Sequence, residues 1–457
     1  MTVSTRGVSV LTLVLGIGIF SSGAAGQEGV DAAILAEAAK EFQREVIEVT
    51  AGVHVAVGFG LANSILIEGS DGVIIVDTME SQKTAREVKT AFDQITTKPV
   101  KAIVYTHNHY DHIMGAKVFA GKDEPDVYAH ETTVSRIEHS LRDLRGAIAP
   151  RSIRQFGVLL PESLRPSAGI GPRLVLDGVL SPALVLPTKT VGSERLKVEA
   201  AGVRMELVHA PGETDDQIYI WLPEKKVLLP GDNYYKAFPN LYAIRGTSYR
   251  DPRAWAESLD KMMAEGPAYL VPSHTRPVVG EERIRQVLTE YRDGIRSVYE
   301  QTITGMNRGL GPDELAATVK LPEHLAKVPA LQERYGRVAW SVRSIYAGNL
   351  GWFDGNATNL DPLTAAARGE RMVRLVGGRD ALLSQAKTAL GEGDHQWAAE
   401  LADHLLGVNG EDEAARGVKA AALLAIGLKQ TNFNARNYYL TSAIELDPDV
   451  AEKAVKD

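Results

Sequence analysis

The segment Thr106-His107-Asn108-His109-Tyr110-Asp111-His112 places four metal-competent side chains, His107, His109, Asp111 and His112, within six positions. Imidazole and carboxylate together suit zinc, which accepts nitrogen and oxygen donors in one centre. A lone histidine is more often a hydrogen-bonding residue than a ligand. H-x-H-x-D-H is too dense for that reading. The chain has no cysteine, so a metal centre here contains no thiolate and no disulfide staples the fold.

The elements around this segment must hold it in place. The apolar run Lys101-Ala102-Ile103-Val104-Tyr105 reads as a short buried strand, and Ile113-Met114-Gly115-Ala116 can open a helix. Further strands are predicted at 53–57, 64–68, 73–77, 204–209, 218–222, 227–229 and 269–272, punctuated by Gly and Asp-Gly turns. A polar helical lead is expected over 31–44, and a helix capped by Ser81 over 81–92. Other metal-competent residues recur where strands end: Glu213 in Ala210-Pro211-Gly212-Glu213-Thr214-Asp215-Asp216-Gln217, Asp232 in Pro230-Gly231-Asp232-Asn233, and His274 after Pro272-Ser273. Asp215, Asp216 and His209 are rival ligands, more often structural.

Residues 146–187, rich in Gly, Pro and Leu with little periodicity, read as an insertion able to wall a cleft, or as an ordinary surface loop. From about 281 onward the strand signals vanish. Helices are predicted at 282–306, 329–346, 365–374, 380–390, 395–406, 411–427 and 434–446, the last four as two hairpins resembling a tetratricopeptide stack. Such a surface binds a partner or a second copy, and dimerisation is the expectation.

Length and composition set the frame. At 457 residues the chain suffices for two or three domains, and a net charge of −8 argues against nucleic acid as a partner. Arg6, the apolar run 8–20 and the small residues Ser21-Ser22-Gly23-Ala24-Ala25-Gly26 have the form of a secretory signal peptide over 1–26. Export to the periplasm or medium is expected, with no integral membrane span after cleavage.

Taken together, H-x-H-x-D-H, the loop P-G-x-T-x-D, the Asp after Gly and the late strand-end His resemble the metallo-β-lactamase superfamily. The lead-in from Asn63-Ser64-Ile65-Leu66-Ile67-Glu68-Gly69 to Asp77-Thr78 fits the same resemblance. Glu213, where the β-lactamase branch usually carries His, resembles the zinc alkyl sulfatases. So do Asn240-Leu241-Tyr242-Ala243-Ile244-Arg245-Gly246 with Arg250-Asp251, and Arg154-Gln155-Phe156-Gly157-Val158-Leu159-Leu160-Pro161. Gly351-Trp352-Phe353-Asp354-Gly355-Asn356 and Ala435-Arg436-Asn437-Tyr438-Tyr439-Leu440-Thr441 resemble the dimerisation domain of that family.

The resemblance implies an αββα sandwich over 27–285 followed by an all-α, tetratricopeptide-like domain over 286–450, assembled as a homodimer. It implies two Zn²⁺ per chain: His107, His109 and Glu213 on one, Asp111, His112 and His274 on the other, with Asp232 bridging. Asp111 and Asp232 count as catalytic as well. Asn240, Arg245 and Arg250 would bind the sulfate of a small alkyl sulfate ester. Two departures bear on substrate range: Phe156 stands where many alkyl sulfatases carry tyrosine, and no sterol-carrier-like domain follows the helices within this sequence. The rival readings are another dizinc hydrolase (lactonase, β-lactamase or phosphoesterase) and a non-enzymatic periplasmic scaffold.

Overall fold

Strands with both faces apolar form the centre of the molecule. The computed structural model describes residues 32–176, 183–192 and 195–450, so the leader at 1–26 lies outside the described residues. β1 (Glu45–Thr50), β2 (Val53–Val57), β3 (Ser64–Glu68), β4 (Val73–Val76), β5 (Val100–Val104), β6 (Asp126–His130) and β7 (Lys189–Val191) make a seven-stranded sheet in sequence order. Its first four strands are antiparallel, and the pairs from β4 to β7 are parallel. β8 (Leu196–Ala200), β9 (Val203–His209), β10 (Ile218–Leu222), β11 (Val227–Leu229), β12 (Tyr269–Leu270) and β13 (Val278–Val279) make a six-stranded sheet in reverse order. β2, β4, β10 and β11 are buried along their whole length, because both faces are covered; β4, β10 and β11 are unbroken apolar runs and β2 is interrupted only by His54.

One apolar layer lies between the sheets, built from Val55, Ile65, Ile74, Val104, Leu207, Ile220 and Leu229 among others. A second covers the outer face of the first sheet, where Val88 and Phe92 of helix Gln82–Phe92 meet Ile103 and Phe119. That helix begins where its sequence directs: Ser81 accepts from the Thr84 backbone N–H at 3.2 Å. A third covers the outer face of the second sheet, where Trp255 and Leu259 of Pro252–Ala264 and Leu288 and Tyr291 of Glu281–Asn307 pack. The architecture is therefore an αββα sandwich with a helical C-terminal region.

The third apolar layer continues without a break through Leu315 and Leu331 to Tyr346, so a boundary at 285/286 falls inside helix Glu281–Asn307. Beyond it, Arg379–Gly391, His395–Val408, Glu413–Leu428 and Phe433–Leu446 stack through the small residues Ala386, Ala398, Ala402, Ala415 and Ala422. No helix among the described residues is long and apolar enough to cross a membrane.

The helix expected over 329–346 is corrected to a short 3₁₀ turn, Pro329–Leu331, and a helix at Val338–Leu350. The cause is Gly336: a Cβ there would lie 2.1 Å from the carbonyl oxygen of Pro239. Around it the 332–336 segment pairs in an extended manner, with Phe238 N–H donating to Gln332 O and Gly336 N–H donating to Phe238 O. The insertion also holds more structure than its composition indicated. Helix Arg145–Gln155 runs through it with Pro150 inside, braced by the C-terminal helix through Arg154 and Glu445 at 2.7 Å and the Leu160–Leu164–Leu440 cluster.

Candidate metal centre and anion site

Four chain segments converge at one edge of the two sheets, and hydrogen bonds between them fix the convergence. Thr106, at the end of β5, accepts from the Ile218 N–H at 2.9 Å, which brings the 210–217 loop against the 107–112 segment. Asn233 ties the next two loops together: its Oδ1 accepts from the Glu213 N–H at 3.0 Å and its Nδ2 donates to Ala210 O at 2.7 Å. Gly231 is required here, because φ is +59° and a Cβ would lie 2.0 Å from Nε2 of Gln217. Asn63 holds the last segment, donating through Nδ2 to Pro272 O at 3.1 Å and Thr275 O at 2.8 Å on either side of His274.

The result brings all seven of His107, His109, Asp111, His112, Glu213, Asp232 and His274 together. Three overlapping groups of donor atoms each lie within 4.8 Å: His107, His112 and Asp232; Asp111, His112 and His274; His109, Glu213 and Asp232. Asp232 sits between the groups, with Oδ2 3.1 Å from His274 Nε2, 3.5 Å from His112 Nε2 and 3.7 Å from His107 Nε2. His107 Nε2 and His109 Nδ1 face each other at 2.7 Å.

The donor set fits metal ions on two observations. Nε2 of His112 and Oδ1 of Asp232 are buried without a hydrogen-bond partner, although buried polar atoms normally have one. A cation between them would satisfy both. The charges agree. Burial alone would lower His112 and His274, but Asp232 first and then Asp111 reverse this, holding His112 well above its ordinary value and His274 up to about 10. Burial would raise Asp111 and Asp232, yet neighbouring histidines hold both well below the usual carboxylate range. The carboxylates thus favour positive charge at this point, which a metal ion would supply. Burial pushes His107 down to about 3 and His109 well below its ordinary value, leaving both rings neutral with lone pairs available.

A supporting residue lies in the lead-in named above, where no spacing marks its role. Asp77, at the end of β4 with φ +58°, is fully buried and accepts from Thr106 N–H and Oγ1 at 2.9 Å each, and from Ser273 Oγ at 2.6 Å. Its Oδ2 lies 2.8 Å from His112 Nδ1. A carboxylate on the far nitrogen fixes the ring and leaves Nε2 directed at the centre. Its only sequence signal is an Asp ending an apolar strand.

Beside the donors opens a cleft of about 500 Å³. Arg245 and Arg250 line it, with apolar walls from Leu61, Leu144, Ile148, Phe156, Leu174 and Tyr249. Arg245 is half-buried, its Nη2 3.2 Å from His109 Nε2. Arg250 is buried, with Nη1 2.5 Å from Glu213 Oε1 and donating to Asn240 O at 2.5 Å, while Nη2 has no partner. Burial pushes Glu213 up to about 6, with Arg250 opposing this rise. Asn240 lies behind Arg250, away from the cleft lining, and both atoms of its side-chain amide are buried without partners.

The rival ligands have other partners. Asp215 pairs with Arg136 at 2.5 Å, Asp216 accepts from Asn108, Thr133 and Thr214, and His209 stacks on His130 with ring centroids 4.1 Å apart. Phe156 lies in an apolar cluster with Leu61, Tyr235 and Tyr335.

The comparison with known proteins agrees with this arrangement. Residues 57–274 match the model of the metallo-beta-lactamase superfamily, and residues 311–449 match that of alkyl sulfatase dimerisation. The chain is 41% identical over 391 residues to a linear primary-alkylsulfatase of Pseudomonas sp., covering 84% of this chain and 73% of that one. It is 33% identical over 414 residues to an (R)-specific secondary-alkylsulfatase of Pseudomonas sp., covering 88% of this chain and 62% of the relative. The chain thus spans less than two thirds of that second relative. Among solved structures, the stereoselective inverting sec-alkylsulfatase Pisa1 from Pseudomonas sp. superposes with a TM-score of 0.84 at 30% identity, over 90% of this chain and 67% of that one. With its fold, its clustered metal donors and both family models in agreement, the chain belongs to the alkylsulfatases of the metallo-β-lactamase superfamily.

Proposed function

We propose that this protein hydrolyses alkyl sulfate esters to an alcohol and inorganic sulfate at a centre of two zinc ions. The observation that carries the reading is the adjacency of Arg245 and Arg250 to the donor cluster, at the mouth of a cleft whose other walls are apolar. A guanidinium fork matches an oxyanion with paired hydrogen bonds, and an apolar wall suits an alkyl chain. A neutral ring-opening substrate has no use for the guanidinium of Arg245 there, which no carboxylate of the described residues pairs.

His107, His109 and Glu213 would hold one ion and Asp111, His112 and His274 the other, with Asp232 between them; Asp77 keeps His112 oriented. Bound there, the ions would supply Lewis-acid chemistry and bring the pKa of a water toward neutrality. The chain's own residues do the rest. Arg245 and the unpartnered Nη2 of Arg250 bind sulfate oxygens, and Asn240 backs Arg250 through its carbonyl. Leu61, Leu144, Ile148 and Leu174 exclude water from the alkyl chain. Phe156 offers no hydroxyl, so no proton comes from that position. The inverting character named for the structural relative supports attack at carbon: a C–O bond forms from water, the ester C–O bond breaks, sulfate leaves with the electron pair, and the water's proton passes to solvent.

We further propose export by cleavage of the 1–26 leader, giving a periplasmic or secreted homodimer formed through the helical region. The match of residues 311–449 to a dimerisation family supports the dimer. The test is hydrolysis of primary and secondary alkyl sulfates in ¹⁸O-water by protein of measured zinc content. Label in the alcohol and two zinc ions per chain are expected. Turnover of lactones or phosphate esters with none of alkyl sulfates would overturn the reading.

A further inference from the structure

Glu80 lies just beyond the strained end of β4, where Asp77 and Met79 both have positive φ. Its side chain is buried, and each oxygen accepts from a different backbone segment: Oε2 from Leu61 N–H at 3.3 Å and Oε1 from Val175 N–H at 3.2 Å. The carboxyl group sits so close to the first segment that a Cβ at Gly60 would lie 2.5 Å from both oxygens. Those two segments carry Leu61 and Leu174 into the cleft. They are 113 positions apart in the chain, and one side chain spans them.

We infer that Glu80 is a positioning residue for substrate selection: by pinning the Leu61 and Val175 backbones it holds Leu61 and Leu174 as a fixed apolar wall, which discriminates among alkyl chains by length. The inference rests on the alkyl sulfate reading above. Glu80 makes no hydrogen bond to a metal donor or a sulfate arginine; the Leu61 carbonyl beside it lies 2.9 Å from His274 Nδ1, a ring that Ile170 O also holds at 3.2 Å, so the main effect of Glu80 falls on the chain of the substrate. A wall held in place buries each added methylene, and a wall free to move leaves part of it wet. Neither hydrogen bond survives in Glu80→Ala. In Glu80→Gln one is lost, because the amide NH₂ meets an N–H donor.

The experiment measures kcat and KM for butyl, hexyl, octyl and decyl sulfates with the zinc-loaded wild type, Glu80→Gln and Glu80→Ala. For the wild type, kcat/KM should rise with length, by up to about fourfold for each fully buried methylene. In the variants the gain per methylene should fall to about 1.5-fold or less, through KM, while kcat on butyl sulfate stays within about threefold. Leu61→Ala, which shortens the wall directly, should flatten the series in the same way. If Glu80→Ala fails to fold, Glu80→Gln carries the test. An unchanged length profile in a folded variant, or an equal loss on every chain length, overturns the inference alone. A wild type inactive on all four esters overturns the alkyl sulfate reading and this inference with it.

Discussion

Oδ2 of Asp77 lies 2.8 Å from Nδ1 of His112, and the same carboxylate also holds Thr106 and Ser273, each adjacent to a metal-competent histidine. One buried side chain therefore orients His112 directly and His107 through Thr106, whose Oγ1 lies 3.0 Å from His107 Nδ1, while the carbonyls of Leu61 and Ile170 hold His274. The backbone at Asp77 takes a left-handed conformation, uncommon for a residue with a Cβ, and such strain persists where surrounding bonds over-determine it.

Replacing Asp77 with Asn should keep the shape of the site but lose the charge and one acceptor. Zinc affinity is expected to fall by about 10- to 100-fold, the range typical for partners of metal-ligating histidines. Competition with a chelator, read as zinc retained, measures it. Retention equal to the wild type would mean that His112 needs no such support.

Metal removal tests the donor set itself. His109→Ala or Asp232→Ala should reduce bound zinc and abolish hydrolysis, with the larger zinc loss for Asp232, whose oxygens reach all three donor groups at the centre. Glu213→His keeps a competent ligand and changes the charge by one unit. Zinc should remain bound while sulfatase turnover falls.

The two cleft arginines should behave differently. Arg245 is half-buried and has no carboxylate within ion-pair distance among the described residues, so Arg245→Ala removes an anion contact. That should cost about 2 kcal/mol, roughly thirtyfold in kcat/KM for alkyl sulfates, and little for a neutral lactone. Arg250 is the buried partner of Glu213. Arg250→Ala removes the counter-charge that holds Glu213, and should weaken metal retention and turnover of every substrate. Equal behaviour of the two variants on charged and neutral esters would sink the distinction.

Glu80 also makes stability depend on pH. Burial is the largest influence on its carboxyl and pushes it from 4.5 up to about 8. The folded chain therefore keeps a proton between those values that the unfolded chain has released, so the native state loses stability as pH rises through that window. Each tenfold difference in proton affinity between the two states is worth about 1.4 kcal/mol, so the effect is of the order of a few kcal/mol. Denaturant titrations of the metal-free protein across pH 5 to 8, values within that window, should show a shallower decline for Glu80→Gln than for the wild type. Parallel declines would place the coupling elsewhere.

Much of this was legible in the sequence, for identifiable reasons. H-x-H-x-D-H declares itself because four donors fall within six positions, and β4, β10 and β11 because burial on both faces gives unbroken apolar runs. The edge strands β1 and β8 carry partly or fully exposed residues at every position; β1 lacks a clean alternation, and β8 alternates over only five residues. Helix Arg145–Gln155 was hidden by Gly146 and Pro150. Helix Pro252–Ala264 had a readable start, Asp251 capping the Arg253 N–H at 2.8 Å with Pro252 in the first turn. Asp77 and Glu80 were beyond reach: each acts on residues 19 to 196 positions away, and nothing near either in sequence marks the partner.

The packing of helix Phe433–Leu446 on the insertion gives the cleft an owner at the far end of the chain. Substrate breadth is thereby heritable through residues that no substrate meets. Drift at Leu440 or Glu445 should loosen helix Arg145–Gln155, and with it Leu144 and Ile148, without touching the metal donors. Selection can retune what the enzyme accepts without touching how it reacts.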